Sequence, residues 1–241
     1  MRPNKDSSMI SLDFSSILRG QYLDWLLSGM IGTMLLFAAA WVLGFLLSLI
    51  VAATRSSGVR LLQTVAAGFV DYHRNVPGLV QLFVWYFGIP QLLPTAWQQW
   101  INGIGHNEFI FATIALSLNA AAYMSEDLRS GIRSLPPTQL EAARALGMSY
   151  VSAMRKVILP QALKVAVPPL TNQSLGLFKS TSLAMAIGVA EMTYVTHQVE
   201  NETFRTFEAF AVASIFYWIV SFLIMGLGYA WTKRLNVQRV R

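Results

Sequence analysis

Two long stretches without any acidic or basic residue constrain this chain more than any other feature. Residues 25–54 form thirty consecutive positions without Asp, Glu, Lys or Arg, and residues 75–107 form thirty-three. A helix needs about 20 predominantly apolar residues to cross the hydrocarbon core of a bilayer, so both stretches are long enough. Only 12% of all residues are charged, against roughly a quarter in soluble domains. The pattern predicts an all-α integral membrane protein.

Five membrane-spanning helices are predicted within a single transmembrane domain, residues 1–241. Their positions are about residues 25–54, 77–94, 108–128, 165–190 and 209–232. The second is expected to begin near Pro77, because proline suits the first turn of a helix, and to end near Pro90 or Pro94. The stretch from Pro77 to Pro94 gives about 27 Å at ~1.5 Å per residue, which is just enough to cross. The preceding residues 61–73 are predicted to form an interfacial helix.

The distribution of basic residues predicts the orientation. The loop after the first span, the long loop of residues 129–164 and the C-terminal tail together carry twelve Lys and Arg residues. Only Arg2, Lys5, Arg19 and Arg205 fall on the opposite side, where acidic residues offset their positive charge. By the positive-inside rule the N-terminus is therefore outside, and the long loop and the C-terminus are cytoplasmic. Basic residues at the membrane surface explain the net charge of +6 without a nucleic-acid partner.

The long cytoplasmic loop contains the signals of two short helices separated by a turn. Thr138 and Glu141 have the spacing of a capping box, in which each side chain satisfies a backbone amide of the other residue. Gly147 favours the left-handed conformation that ends a helix, and Ser149 can cap the next helix. Such a pair is either a docking surface for a protein or a basic amphipathic element that rests on lipid headgroups. These signals alone leave both possibilities open.

Six residues of this loop resemble the EAA motif of binding-protein-dependent ABC importer permeases. The motif places Glu-Ala-Ala, Gly and Leu-Pro at fixed spacing, with an Ile that is Val157 here. The segments 74–90, 121–139 and 167–191 also resemble permeases for polar amino acids of the glutamate/aspartate, glutamine and histidine type. Within that group residues 74–94 look most like glutamate/aspartate systems. The motif residues are Glu141, Ala142, Ala143, Gly147, Leu159 and Pro160.

The resemblance implies a type I importer permease of the bacterial cytoplasmic (inner) membrane that performs no covalent chemistry. It implies two ABC ATP-binding subunits that hold ATP and Mg²⁺ and dock on the EAA loop, so no cofactor is expected on this chain. It also implies an external or periplasmic substrate-binding protein and a second permease subunit, either a paralogue or an identical copy. Polar amino acids are the implied substrates, glutamate/aspartate first, with glutamine or basic amino acids as the alternative. The chain has no GxxxxGK[ST] phosphate loop of its own.

Polar residues inside the predicted spans are the candidates for a substrate path, because intramembrane polar groups normally face a protein interior or a water-filled cavity. Asn172, Lys179 and Ser182 recur on one helical face of the fourth span, and Asn119 and Tyr123 on one face of the third. The full set of candidates is Asn119, Tyr123, Asn172, Lys179, Ser180, Thr181 and Ser182.

Two charged residues have alternative interpretations. An unpaired Lys at the centre of a membrane costs ~2.5–3.5 kcal/mol. Lys179 is therefore expected to pair with Glu126 or Glu191, to extend towards the headgroups, or to meet a substrate carboxylate. Glu141 either caps its own helix or pairs with an Arg of the ATP-binding subunit. The residues themselves do not choose between these roles.

An intramembrane enzyme is the competing class of function. It would need a nucleophile and a base, or clustered metal ligands, inside the spans. The chain has no GxSxG or HExxH motif and no cysteine, and its histidines, His73, His106 and His197, have no partner at ligand spacing. No catalytic residue and no metal site are predicted. Arg74 and Asp71, three residues apart, are expected to form a local ion pair rather than a gate.

Overall fold

The computed structural model describes residues 12–237. Four of the charged residues assigned to the ends of the chain, Arg2, Lys5, Arg239 and Arg241, lie outside the described residues. Between residues 12 and 237 every regular element is helical. In chain order the α-helices are α1 (Gly20–Arg55), α2 (Arg60–Asn75), α3 (Gly78–Phe83), α4 (Ile89–Gln91), α5 (Thr95–Asn102), α6 (Asn107–Arg133), α7 (Pro137–Ala145), α8 (Tyr150–Ala153), α9 (Leu159–Ser180), α10 (Met192–Thr203) and α11 (Thr206–Val237). Two 3-10 helices, Phe14–Ser16 and Thr181–Ile187, precede α1 and continue α9.

Three of these helices are each long and apolar enough to cross a membrane. They are α1, α6 and the Thr206–Leu235 part of α11, with mean hydropathies of 2.6, 1.2 and 2.2. A fourth crossing is obtained if Tyr150–Ile187 and Met192–Thr203, which are bent by 51° relative to each other, count as one span. These helices correspond to the first, third, fifth and fourth predicted spans. The count of five spans stays a prediction.

The second predicted span is shorter in the structure than the hydropathy pattern suggests. The chain is helical without interruption only from Gly78 to Gln91, which gives about 21 Å at ~1.5 Å per residue. Pro94 lies outside it and caps α5. Because a bilayer core is about 30 Å thick, this segment does not meet the length for a complete crossing by itself.

Two prolines explain two widened turns in the helices. A π-helical turn covers Val84–Gly88 just before Pro90, and another covers Met154–Ile158 just before Pro160. Proline has no N–H and its ring clashes with the carbonyl four residues earlier. A π turn relieves this conflict, since its hydrogen bonds run over five residues. Pro160 therefore widens the helix without ending it, and the chain stays helical from Tyr150 into α9.

Small residues allow α1 to pack closely against the rest of the molecule. Its buried positions are mostly small and recur every three or four residues, as in other membrane helix interfaces. A Cβ atom on Gly32 would lie 2.5 Å from the carbonyl oxygen of Ala190, and one on Gly44 would lie 3.0 Å from that of Ser117. The helix thus contacts α6 and the turn before α10 directly through its backbone.

Candidate functional site

The turn between α7 and α8 is tightly fixed by its backbone. Gly147 adopts a φ of 82°, and its N–H donates to the carbonyl of Arg144 at 3.0 Å while the N–H of Met148 donates to the carbonyl of Ala143 at 3.2 Å. This pair of bonds is a Schellman motif, which satisfies carbonyls at the end of a helix. Ser149 then caps α8 through its side-chain oxygen. The predictions for Gly147 and Ser149 are confirmed.

The predicted capping box at the start of α7 is wrong. The helix begins at Pro137, with Pro136 in the capping position and no side-chain cap, so Thr138 already lies inside the first turn. Proline is favoured at the first helical position because its φ is preset and its missing N–H would be unpaired there anyway. Glu141 therefore has no cap to complete. Its side chain is exposed and makes no hydrogen bond within residues 12–237.

The α7–α8 hairpin, residues 137–153, presents an exposed outer surface. Leu146 is 84% exposed and Val151 is 71% exposed, and Ala142 is exposed beside Glu141. By contrast Ala143 and Ala153 are buried, where larger side chains would separate the packed helices. Exposed apolar side chains on a rigid turn are typical of a protein-binding surface.

The rest of the EAA motif joins the hairpin to the fourth predicted span. Leu159 and Pro160 are the first residues of α9, directly after the π turn. The Nε2 of Gln161 donates to Oε1 of Gln139 at 2.8 Å, which ties α7 to α9. The motif therefore fixes both the turn and the helix that leads from it into the predicted membrane region.

A polar stripe runs along α9 on the surface of the single chain. Asn172, Gly176 and Lys179 are all exposed, as the predicted helical face requires. Lys179 forms no ion pair with any residue between 12 and 237. Because intramembrane charges normally face a protein interior or a water-filled cavity, this stripe needs a second subunit, water or a ligand to cover it.

The three hydroxyl residues that follow Lys179 hydrogen-bond to their own helix. Ser180 donates to the carbonyl of Gly176 at 2.9 Å, and Ser182 donates to that of Lys179 at 2.8 Å. Thr181 is fully buried and donates to the carbonyl of Phe178 at 2.7 Å. The structure thus places Thr181 inside the chain, away from the stripe, while Ser180 and Ser182 are partly accessible.

The two carboxylates expected to pair with Lys179 are engaged elsewhere. Glu126 forms an ion pair with Arg55 and a second, at 3.7 Å, with Arg129. Glu191 is fully buried and caps α10. The interpretation of Lys179 as the partner of either carboxylate is therefore wrong for the described part of the chain.

Asn119 and Tyr123, whose place in a substrate path stays a prediction, hydrogen-bond to the junction between α2 and α3. Asn119 donates through Nδ2 to the carbonyl of His73 at 2.9 Å, and the hydroxyl of Tyr123 donates to that of Arg74 at 3.2 Å. Gln81 donates to the carbonyl of His73 at 2.9 Å as well. Carbonyls at a helix end have no partner in the helix itself, so these side chains stabilise the break that Pro77 imposes.

Arg74 and Asp71 do not form the expected ion pair. The guanidinium of Arg74 lies 5.3 Å from the centre of the Tyr123 ring, a cation–π arrangement. His73 is one of three buried side chains of α2, with Ala66 and Val70. Burial lowers the pKa of His73, and the hydrogen bond with the carbonyl of Phe69 opposes this effect. The C-terminal end of α2 is therefore held to α6 by hydrogen bonds from Asn119 and Tyr123 and by the cation–π contact of Arg74.

The histidines are separated in the structure. The Nδ1 of His197 lies 3.1 Å from a carboxylate oxygen of Glu200, and that of His106 lies 3.6 Å from Glu108. Between residues 12 and 237 no three His, Asp or Glu side chains are grouped so as to hold a metal ion.

Sequence reasoning missed the role of Glu191 as the centre of a buried polar cluster. Its carboxylate accepts from the N–H groups of Thr193 and Tyr194 and from the hydroxyl of Tyr217, each at 2.9 Å. Thr33 of α1 accepts from the N–H of Met192 at 2.9 Å. The cluster locks the bend before α10 to α1 and α11. The sequence carried no clear local signal for this role, because Glu is not among the residues preferred at the N-terminal cap of a helix.

Comparisons with known proteins agree with these features. The sequence model of the family described as "binding-protein-dependent transport system inner membrane component" matches residues 17–237. The chain is 38% identical over 205 residues to the probable amino-acid ABC transporter permease protein PatM of Vibrio harveyi, covering 84% of this chain and 89% of the relative. It is 33% identical over 207 residues to the glutamate/aspartate import permease protein GltJ of Escherichia coli K12, covering 85% and 84%.

A solved structure extends the comparison to three dimensions. The crystal structure of an amino acid ABC transporter with histidines superposes with a TM-score of 0.82 at 31% identity, over 93% of this chain and 100% of that chain. The resemblance indicated by the EAA motif is confirmed over nearly the whole chain. This protein belongs to the family of binding-protein-dependent transport system inner membrane components.

Proposed function

We propose that this chain is the permease subunit of an ATP-driven importer for polar amino acids in a bacterial inner membrane. The observation that carries the proposal is the α7–α8 hairpin, which combines a rigid turn, an exposed apolar surface and a continuous helical connection to α9. Without a phosphate loop of its own, the chain relies on two separate ATP-binding subunits that hold ATP and Mg²⁺. These subunits dock on the hairpin through Glu141, Leu146 and Val151.

The proposed orientation follows from the basic residues. The hairpin and the C-terminal end of α11 lie on the cytoplasmic side, and the N-terminal end of α1 faces outward, where an external binding protein delivers the substrate. Five crossings are proposed, with residues 78–91 completing the second together with the loops that flank it. The exposed polar stripe on α9 supports pairing with a second permease subunit, a paralogue or an identical copy.

The proposed substrate path runs along this stripe, between the two permease subunits. Asn172 and Lys179 offer an amide and an ammonium group there, with Ser180 and Ser182 at its edge. An ammonium group suits a carboxylate, which every amino acid carries. Glutamate and aspartate are proposed as substrates because of the sequence of residues 74–94 and the name of GltJ. The alternative substrates are glutamine or basic amino acids. A binding assay of the partner binding protein with labelled glutamate, glutamine, arginine and histidine distinguishes them from glutamate and aspartate.

Docking on the hairpin is tested by placing a charge on its outer surface. We expect Leu146→Asp to reduce co-purification of the ATP-binding subunits roughly tenfold, because removal of a buried interface leucine and introduction of an unpaired charge each weaken a protein interface. Phe204→Asp is the matched control, since Phe204 is 87% exposed and follows α10 on the outer side in the proposed orientation. Equal loss of the ATP-binding subunits in both variants would contradict docking at the hairpin.

A further inference from the structure

An apolar groove lies beneath the hairpin, on the side opposite its exposed outer surface. It has a volume of about 630 Å³, within the range of roughly 300–1,000 Å³ found for small-molecule sites. The ends of α1, α6 and α9 form one wall, and α7 and α8 form the other. Representative lining residues are Leu49, Ala53, Leu128, Leu140, Met154 and Leu163.

The chemistry of the lining suits hydrocarbon. Of its seventeen residues only Ser56, Arg133 and Tyr150 are polar. A buried water molecule needs two to four polar partners, which most of this surface does not offer. The groove also adjoins the ends of α1 and α6, two helices that are long and apolar enough to cross a membrane, so its mouth is level with the edge of a bilayer. Lipid chains are the apolar molecules present there.

The mouth of the groove carries an excess of positive charge. Arg133 lines the groove, is exposed and forms no ion pair in the described part of the chain. Arg55 and Arg129 lie close enough to repel it, and both of them share the carboxylate of Glu126. An anionic group at Arg133 would relieve this repulsion, because surface arginines attract the phosphates of anionic lipids.

We infer that this groove binds one acyl chain of an anionic phospholipid, whose phosphate contacts Arg133. The lipid lies under the hairpin, and the ATP-binding subunits dock on its outer surface, so the two partners occupy different faces. The bound acyl chain fills the space between the hairpin and the membrane helices and supports the docking surface from the groove side. The location of this lipid in the cytoplasmic leaflet rests on the orientation given under the proposed function. The binding of the lipid in the groove does not depend on that orientation.

The test uses the full chain in nanodiscs that contain equal amounts of phosphatidylglycerol and phosphatidylcholine, followed by native mass spectrometry of the lipids it retains. We expect the wild type to retain phosphatidylglycerol preferentially. Arg133→Gln should reduce this retention about fivefold, as expected for one cation near an anionic headgroup. Lys156→Gln is the matched control, since Lys156 is an exposed cation of the same loop that does not line the groove. It should behave like the wild type.

A second variant tests the acyl-chain site itself. Ala53→Trp fills the groove from an exposed position, and we expect it to reduce lipid retention even though the charge of Arg133 is kept. Equal retention of the two lipids by the wild type, or equal behaviour of Arg133→Gln and Lys156→Gln, would overturn the inference. So would an Ala53→Trp chain that keeps its lipid but no longer pairs with a second copy, since the groove would then be a subunit interface.

Discussion

Lys179 is the residue of this chain that most needs a partner from outside it. Its ammonium group lies on an exposed stripe of α9, and the carboxylates of Glu126 and Glu191 are engaged elsewhere. A charge in this position must face protein, water or a ligand. The same stripe contains Asn172 and Gly176, so its surface is open over about two helical turns.

Replacing Lys179 tests the proposed substrate path. We expect Lys179→Met to reduce amino-acid uptake roughly tenfold or more, since a hydrogen bond to a charged group contributes about 1.5–3 kcal/mol. Ser214→Ala should leave uptake close to wild type, because Ser214 lies on α11 and not on the stripe, and its hydroxyl donates to the carbonyl of Phe210. Initial rates of labelled amino-acid uptake into proteoliposomes give the measurement. Normal uptake by the Lys179 variant would exclude contact with the substrate.

Replacing Glu191 tests the buried polar cluster. Glu191→Ala leaves two backbone N–H groups and the Tyr217 hydroxyl without their acceptor and should cost about 3 kcal/mol or more. Tyr217→Phe removes only one of these bonds and should cost about 1–2 kcal/mol. Thermal unfolding of the purified chain in detergent measures both. Exposed Glu202 provides the control, and an equal shift in Glu202→Ala would show that charge alone is responsible.

These residues show where sequence patterns reach their limit. Periodicity correctly places Asn172 and Lys179 on one face of the fourth span. It also places Asn119 and Tyr123 on one face of the third, but their acceptors lie 46 and 49 residues away in the chain. A helical pattern identifies a polar face without identifying the element that the face contacts, so a structural role and a substrate-path role look alike.

At the scale of elements, prolines determine most of the differences between prediction and structure. Pro136 and Pro137 start α7 before Thr138, so the capping box does not form. The π turn before Pro160 accommodates this proline within the helix, and α9 also continues through Pro168 and Pro169. Local signals with a backbone cause, such as the turn at Gly147, were predictable. The accommodation of proline depends on neighbouring helices that replace its missing hydrogen bond, which sequence does not reveal.

The packing of α1 against the bend before α10 is tested by adding a single methyl group. Gly32→Ala places a Cβ atom 2.5 Å from the carbonyl oxygen of Ala190, so α1 must move away from the bend before α10, at a cost of about 1–3 kcal/mol. Gly226→Ala makes the same change in α11 where no atom lies within 4 Å. There we expect no loss, or a gain of up to about 1 kcal/mol from helix propensity. Midpoints of thermal unfolding compare the two variants, and equal midpoints would contradict the close approach.

At the scale of the whole molecule, the apolar runs predict the all-helical architecture because each run is long enough to be a membrane helix. The family was recognisable from the spacing of the EAA motif, and the comparisons confirm it. The helix of the second span stops at Gln91, which agrees with the predicted end near Pro90 and not with the one near Pro94. Apolar loops and apolar helices have the same composition, so hydropathy alone does not locate that boundary.

The orientation is tested with single cysteines, which is straightforward because the chain has none of its own. We expect a membrane-impermeant maleimide to label Asn102→Cys in intact spheroplasts. Ser57→Cys should be labelled only after permeabilisation, since the positive-inside rule predicts that it lies on the same side as the hairpin, the proposed cytoplasmic side. Both positions are exposed on the chain. Labelling of Ser57→Cys alone in intact spheroplasts would invert the proposed topology.

The uninterrupted helical course from Tyr150 to Ser180 gives the molecule a mechanical lever. At ~1.5 Å per residue it is about 45 Å long, and it begins at the turn where the ATP-binding subunits are proposed to dock. A rigid tilt of about 5° around its Tyr150 end would displace the other end by about 4 Å, which exceeds the length of a hydrogen bond. A small rotation at the hairpin is therefore sufficient to make or break contacts around Lys179.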